Sequence, residues 1–112
     1  TESDAMKSIA LLMDYNFSEN INMDFLAGKA NMCKTAFSRK FKDVYGISPK
    51  EYLTILRINK AKEMLLTTDF EIKEIAASVG YRDQLYFSRL FSKKEGLSPS
   101  DYRRSDISEH FL

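Results

Sequence analysis

Phe37-Ser38-Arg39 and Phe87-Ser88-Arg89 are the stretches whose residue types and spacing suggest chemistry. On a helix, each triplet turns an aromatic ring to one face and an arginine toward another. A guanidinium donates a fixed fork of N–H groups, which matches O6 and N7 of guanine in a DNA major groove. The face that carries Arg39 also holds Thr35, Ser38 and Lys42, spaced i, i+3, i+4 and i+7. The second copy holds Leu85, Ser88, Arg89 and Ser92 at those positions. Small polar residues beside an arginine permit close approach to base edges. A merely solvated face more often alternates Glu and Lys. The aromatic stripe on the other side reads as core.

Other chemistries find little here. Cys33 is the single cysteine and His110 the single histidine. They leave no ordinary zinc site and no Cys/His or Ser/His catalytic pair. The chain has no Gly-rich phosphate loop and no isolated carboxylate pair in an apolar run. It reads as a non-enzyme, with no catalytic residue, no metal and no cofactor. One thiol excludes an internal disulfide framework and fits a reducing, cytoplasmic compartment. Cys33 falls near a helix N-terminus, where a dipole can lower a thiol pKa. Its preferred reading is a replacement for a capping serine. His110 reads as a solvated tail residue.

The two triplets belong to a longer echo. With an offset of 50, residues 32–52 and 82–102 share eight identities in 21 positions, including Gly46/Gly96, Ser48/Ser98, Pro49/Pro99 and Tyr52/Tyr102. Upstream the offset becomes 49, where Met23, Leu26 and Ala27 answer Ile72, Ile75 and Ala76. There Asn31 answers Gly80, the two residue types that best tolerate a left-handed turn. One supersecondary unit of roughly thirty residues is used twice, with one extra residue in the second turn.

Charge follows the echo. The chain has a net charge of only +1, yet residues 33–45 carry +3 and residues 82–95 carry +2. Residues 49–67 add +2, whereas residues 1–32 carry −3 and residues 68–81 carry −2. Distribution matters more than the total for a nucleic-acid partner.

Helical periodicity dominates, and no useful stretch alternates with period two. Helices are predicted over 4–16, 23–30, 33–45, 49–67, 72–79, 83–95 and 99–104, with a frayed end over 106–112. Asn22 and Asp83 are expected N-caps. Gly46 and Gly80 are expected helix stops. Ser48-Pro49-Lys50-Glu51 reads as a capping box with proline at the first helical position, and Ser98-Pro99-Ser100-Asp101 repeats it. The predicted stripe of the long helix is Leu53, Leu56, Ala61, Met64 and Leu65. Each repeat is thus short helix, tight turn, longer helix, which is a helix-turn-helix layout. The longest apolar runs, such as Ile9-Ala10-Leu11-Leu12-Met13, fall far short of a membrane span. The polar, acidic start through Ala5 does not read as a signal peptide.

Two units, each closed by Gly-hydrophobic-Ser-Pro-x-(Glu/Asp)-Tyr, resemble the AraC/XylS family of bacterial transcriptional regulators. The second unit carries the most specific stretch: Ile72-Lys73-Glu74-Ile75-Ala76, Val79-Gly80-Tyr81, Phe87-Ser88-Arg89 with Phe91, then Ser98-Pro99 and Tyr102. Arg57-Ile58, Ala61 and Leu65-Leu66 in the long helix fit as well, and the likeness covers about residues 5–104. The resemblance implies an all-α, seven-helix bilobal domain. Its first helix-turn-helix lobe would be 5–48, its linker helix 49–67, its second lobe 68–104 and its tail 105–112. A linker of about 18 residues spans about 27 Å, which suits reading helices one DNA turn of roughly 34 Å apart.

By position, the family's base-reading residues fall on Thr35, Ser38 and Arg39, and on Leu85, Tyr86 and Arg89, with Gln84 beside them. Lys34, Lys40, Lys42, Arg82 and Lys93 become candidates for phosphate contact. Leu85 departs from the pattern, being apolar where a polar reader is common, and suits a thymine methyl. The implied partners are promoter or operator duplex DNA and RNA polymerase, with no membrane. The isolated domain is expected to be a monomer on an asymmetric site, and a dimeric parent would dimerise through another domain. Family members usually join this domain to a sensing domain, so the chain reads as a fragment of a longer regulator or else a stand-alone member. The alternative is a helical protein-interaction module that has lost DNA binding. It fits the weak net charge, but leaves the repeated Ser-Arg pairs unexplained.

Overall fold

A computed structural model describes the backbone of residues 1–111 and the side chains of residues 1–105. The side chain of His110 falls outside the described residues. Among those described, all regular structure is helical, as the periodicity predicts: α1 Glu2–Asn16, α2 Met23–Lys29, α3 Lys34–Tyr45, α4 Pro49–Thr67, α5 Ile72–Ser78, α6 Gln84–Glu95 and α7 Pro99–Phe111. The chain divides into two compact units, Thr1–Leu56 and Arg57–Leu112, with the boundary inside α4.

In the first unit α1 starts earlier than its apolar stripe suggests. Thr1 accepts a hydrogen bond from the Asp4 amide at 3.2 Å, and the Asp4 carboxylate reaches back to the Thr1 backbone. The core gathers Met6, Ile9 and Met13 of α1, Leu26 and Ala27 of α2, Phe37 and Phe41 of α3, and Leu53 of α4. Burying each phenylalanine removes enough apolar surface from water to contribute about 1.5–3 kcal/mol. Tyr52 closes the unit, stacking edge-on to Phe41 at 5.4 Å and donating its hydroxyl to Asp14 Oδ1 at 2.7 Å. Burial, followed by the hydrogen bond to Asp14 and that residue's charge, pushes the Tyr52 phenol up to about 12.

The second unit buries Ile58, Ala61 and Leu65 of α4, Ile75 and Ala76 of α5, Val79, and Phe87 and Phe91 of α6. Ile58 is missing from the predicted stripe of α4. The reason is that α4 serves two cores: Leu53 points into the first and the Ile58-Ala61-Leu65 face into the second. Arg103 of α7 donates to the carbonyls of Leu65 (3.0 Å) and Thr68 (3.2 Å), occupying acceptors that the end of α4 leaves without intrahelical partners. α7 runs beyond residue 104, where the prediction ends it; no glycine or proline after Pro99 interrupts it.

The duplication extends further than the sequence echo shows. At an offset of 48, α1 answers the second half of α4, with Ala10/Ile58 and Met13/Ala61 buried in both. The next pair is Asp14/Lys62, and both meet the repeated tyrosine. Asp14 accepts from Tyr52, while the Lys62 ammonium lies 6.0 Å from the Tyr102 ring and 2.8 Å from Glu95. Each unit is therefore a three-helix repeat with one polar lock of exchanged sign.

Candidate nucleic-acid interface

Each unit sets its third helix by the same local devices. α2 and α5 stop at Asn31 (φ 57°) and Gly80 (φ 107°), the left-handed conformation that releases the chain from a helix. The following amides turn back, Met32 N–H to Ala27 O at 3.0 Å and Tyr81 N–H to Ala76 O at 2.8 Å. The chain then enters α3 and α6, which both end at glycines with φ +80°. The entries differ. Asp83 accepts from the amides of Leu85 (2.9 Å) and Tyr86 (3.2 Å), whereas Cys33 occupies the cap of α3 with no side-chain hydrogen bond.

The inner faces, Phe37 and Phe41 in α3 and Phe87 and Phe91 in α6, are fully buried. That fixes the rotation of each helix and turns the repeated arginines outward. Thr35, Arg39 and Lys42 are exposed on α3, and Gln84, Leu85, Tyr86 and Arg89 on α6. Ser38, Ser88 and Ser92 are half-buried, less open than their place on the outer stripe suggests. Each serine at position 38 or 88 directly follows a fully buried phenylalanine, so it lies at the edge of the buried arc. Arg39 and Arg89 make no ion pair among the described residues, so their guanidinium forks are open to a ligand.

Of the cations expected at phosphates, Lys34, Lys42, Arg82 and Lys93 are exposed. Lys40 is half-buried, and its ammonium lies 3.9 Å from the carboxylate of Glu2 on α1. Sequence reasoning missed that pair, which joins residues 38 apart and has no local spacing to reveal it. It also missed an aromatic stack at the start of α6. The Arg57 guanidinium lies 5.1 Å from the Tyr81 ring, and Tyr81 lies 5.8 Å from both Tyr86 and Phe87.

No group of three or more His, Cys, Asp or Glu among the described residues is placed to hold a metal ion. No helix among them is long and apolar enough to cross a membrane. The arrangement offers two arginine-bearing helix faces flanked by cations, each fixed by a buried aromatic pair.

Residues 26–105 match the family described as a helix-turn-helix domain. The lactose operon transcription activator of Staphylococcus xylosus is 38% identical over 88 residues, covering 79% of this chain and 32% of that protein. The bifunctional transcriptional activator/DNA repair enzyme AdaA of Bacillus subtilis is 33% identical over 108 residues, covering 96% of this chain and 51% of that protein. The chain thus spans between about a third and half the length of these relatives. Among solved structures, the C-terminal domain of AraT, a response regulator from Geobacillus stearothermophilus, superposes with a TM-score of 0.85 at 37% identity, covering 90% of this chain and 84% of that one. The DNA-binding domain of the global transcriptional factor AdpA, solved in complex with a target DNA, gives a TM-score of 0.87 at 25% identity, covering 93% and 94%.

Proposed function

The chain belongs to the AraC-type helix-turn-helix family, and from that premise we propose that it binds double-stranded DNA sequence-specifically and regulates bacterial transcription. The observation that carries this is the repeated exposed arginine. Arg39 and Arg89 stand at the same position of duplicated helices, on the two segments of net +3 and +2. Nothing in the fold requires a cation there.

In this reading residues 5–48 and 68–104 are the two lobes, 49–67 is the helix that joins them, and 105–112 is a tail. Thr35, Ser38 and Arg39 meet base edges from α3, and Gln84, Leu85, Tyr86 and Arg89 from α6. Lys34, Lys42, Arg82 and Lys93 meet phosphates. Lys40 does so only by giving up Glu2. α3 and α6 enter successive major grooves. Two unlike reading helices in one chain need no two-fold partner, so the 112-residue chain binds as a monomer to an asymmetric site. RNA polymerase is the protein partner, and the compartment is the cytoplasm. No catalysis is assigned to these residues.

The test is a gel shift on random duplex with a salt titration, followed by hydroxyl-radical footprinting on a selected site. Some five phosphate contacts predict a slope of log K against log salt between about −4 and −6. Two protected patches about one helical turn apart are expected. No binding at low salt would overturn the reading in favour of the protein-interaction module.

A further inference from the structure

The outward face of α1 carries apolar side chains that the fold does not need. Tyr15 is 84% exposed and Leu11 56% exposed, on a helix whose inner face is complete with Met6, Ile9, Ala10 and Met13. The duplication tests the need directly. At the offset of 48 that pairs α1 with the second half of α4, Leu11 and Tyr15 answer Asn59 and Glu63, both exposed. One position of the repeat is thus polar in one copy and apolar in the other, and a helix face turned only to water gains nothing from the apolar version. Duplex DNA is a poor occupant for this face, because residues 1–32 carry a net charge of −3.

What the face fits is itself. Lys7, Leu11 and Tyr15 are exposed and follow one another at four-residue spacing, a single ridge of the helix surface. Lys7 and Tyr15 flank Leu11 at about 6 Å along the axis in either direction. When a second α1 lies antiparallel, related by a two-fold axis through Leu11, Leu11 meets its own copy and each Lys7 ammonium meets the opposite Tyr15 ring, an attractive cation–π pair. Lys7 is available for it, making no ion pair among the described residues. The carboxylates of α1 do not oppose this register. Asp4 falls opposite Ser18, and Asp14, which already accepts from Tyr52, falls opposite Ser8. Glu2 is turned to Lys40 of α3.

We infer that the outer ridge of α1 is a self-association surface, on which a second copy of this chain docks antiparallel through Lys7, Leu11 and Tyr15. Three side chains from each copy bury far less than the roughly 800 Å² per partner of a stable interface. The free chain therefore stays monomeric at micromolar concentration, and the contact acts where some other link already holds two copies close together. The inference stands on α1 alone and does not depend on the DNA-binding reading.

The experiment uses the whole chain carrying Cys33→Ser, so that each introduced thiol is alone. Disulfide formation under a mild oxidant is timed for Leu11→Cys and, as a control, for Asn59→Cys at the equivalent exposed position of α4. A residue on a two-fold axis meets itself, so Leu11→Cys should cross-link about tenfold faster than the control. Adding Tyr15→Glu, which copies the side chain of Glu63, should bring that rate down to the control, with circular dichroism unchanged. The register has its own test. Lys7→Cys and Tyr15→Cys chains, mixed, should form the mixed disulfide in preference to either like pair. Equal rates for Leu11→Cys and Asn59→Cys would overturn the inference and leave the face to a different protein. So would like pairs of Lys7→Cys or Tyr15→Cys that outpace the mixed one, since they require a parallel pairing. Neither outcome touches the DNA-binding reading, which the gel shift tests separately.

Discussion

Phe37 and Phe41 in one unit, and Phe87 and Phe91 in the other, are fully buried, with ring centroids 5.9 Å apart in both pairs. On the opposite side of the same two helices, Thr35, Ala36 and Lys42 stand where Leu85, Tyr86 and Ser92 stand. Cores are close-packed, so a change of a single methylene is felt there. Exposed positions tolerate exchange within about 0.5 kcal/mol. A duplicated unit therefore keeps its inner face and is free to change its outer one. Where the copies agree on the outside, as at Arg39 and Arg89, the agreement is not explained by stability. Where they differ, the difference is available for discriminating ligands.

The comparison breaks most visibly in the core. Phe41→Ala and Phe91→Ala should each cost about 3–5 kcal/mol in urea unfolding, and by similar amounts. A value under about 1 kcal/mol in only one unit would show that the two cores are not equivalent. Next come the arginines. Arg39→Ala and Arg89→Ala should each weaken binding to a selected duplex by about 1–3 kcal/mol and relax preference at one base pair, in different half-sites. Lys42→Ala should weaken all duplexes alike and lower the salt slope by about 1. Loss of preference at the same base pair in both arginine variants would contradict two separate reading helices.

The polar locks should differ. Tyr52→Phe removes the hydroxyl that Asp14 accepts and should cost about 1 kcal/mol, whereas Tyr102→Phe should change stability by less than about 0.5 kcal/mol. The Tyr52 phenol is raised in the folded protein to about 12, against about 10 in an unfolded chain. Its contribution is therefore complete below pH 10 and lost as pH rises toward 12. Wild-type stability should fall steadily relative to that of Tyr52→Phe across this window, seen by denaturant unfolding at fixed pH. The helix entries should differ as well. Asp83→Ala removes a cap that is present and should cost about 1 kcal/mol, while Cys33→Ser supplies one that is absent and should gain about 0.5 kcal/mol.

What was legible in the sequence is what local chemistry dictates. Ser48-Pro49 set the start of α4, Asn31 and Gly80 the two sharp turns, and the phenylalanine spacing the inner faces of α3 and α6. The local rules also held the cap at Thr1, since Thr1-x-x-Asp4 is a weaker form of the Ser-x-x-Glu pattern that revealed α4. Ile58 escaped because a single amphipathic stripe was sought along a helix that turns two different stripes to two cores. The kinship of α1 with the second half of α4 escaped because small and large apolar residues trade places, as in Met13/Ala61, and the polar pair Asp14/Lys62 reverses sign. The Arg57-Tyr81-Tyr86 stack and the Lys40-Glu2 pair bring distant residues together, and only the folded chain shows them. For the candidate interface, spacing placed each arginine on an outer face. The half-burial of Ser38 and Ser88 depended on how far the packing wraps around each helix, which periodicity does not give.

The helix α4 has one more consequence, for how the chain folds in time. Closing the first turn of a helix fixes about three residues for a single hydrogen bond and is the unfavourable step, while each later residue adds a bond at little cost. Two independent three-helix lobes would need separate nuclei for their first and last helices. Here a helix nucleated against Leu53 in one core extends without a new nucleus to Ile58, Ala61 and Leu65 in the other. Whichever core collapses first lowers the barrier for its sibling, and the pair becomes the shortest form of a one-dimensional cooperative array.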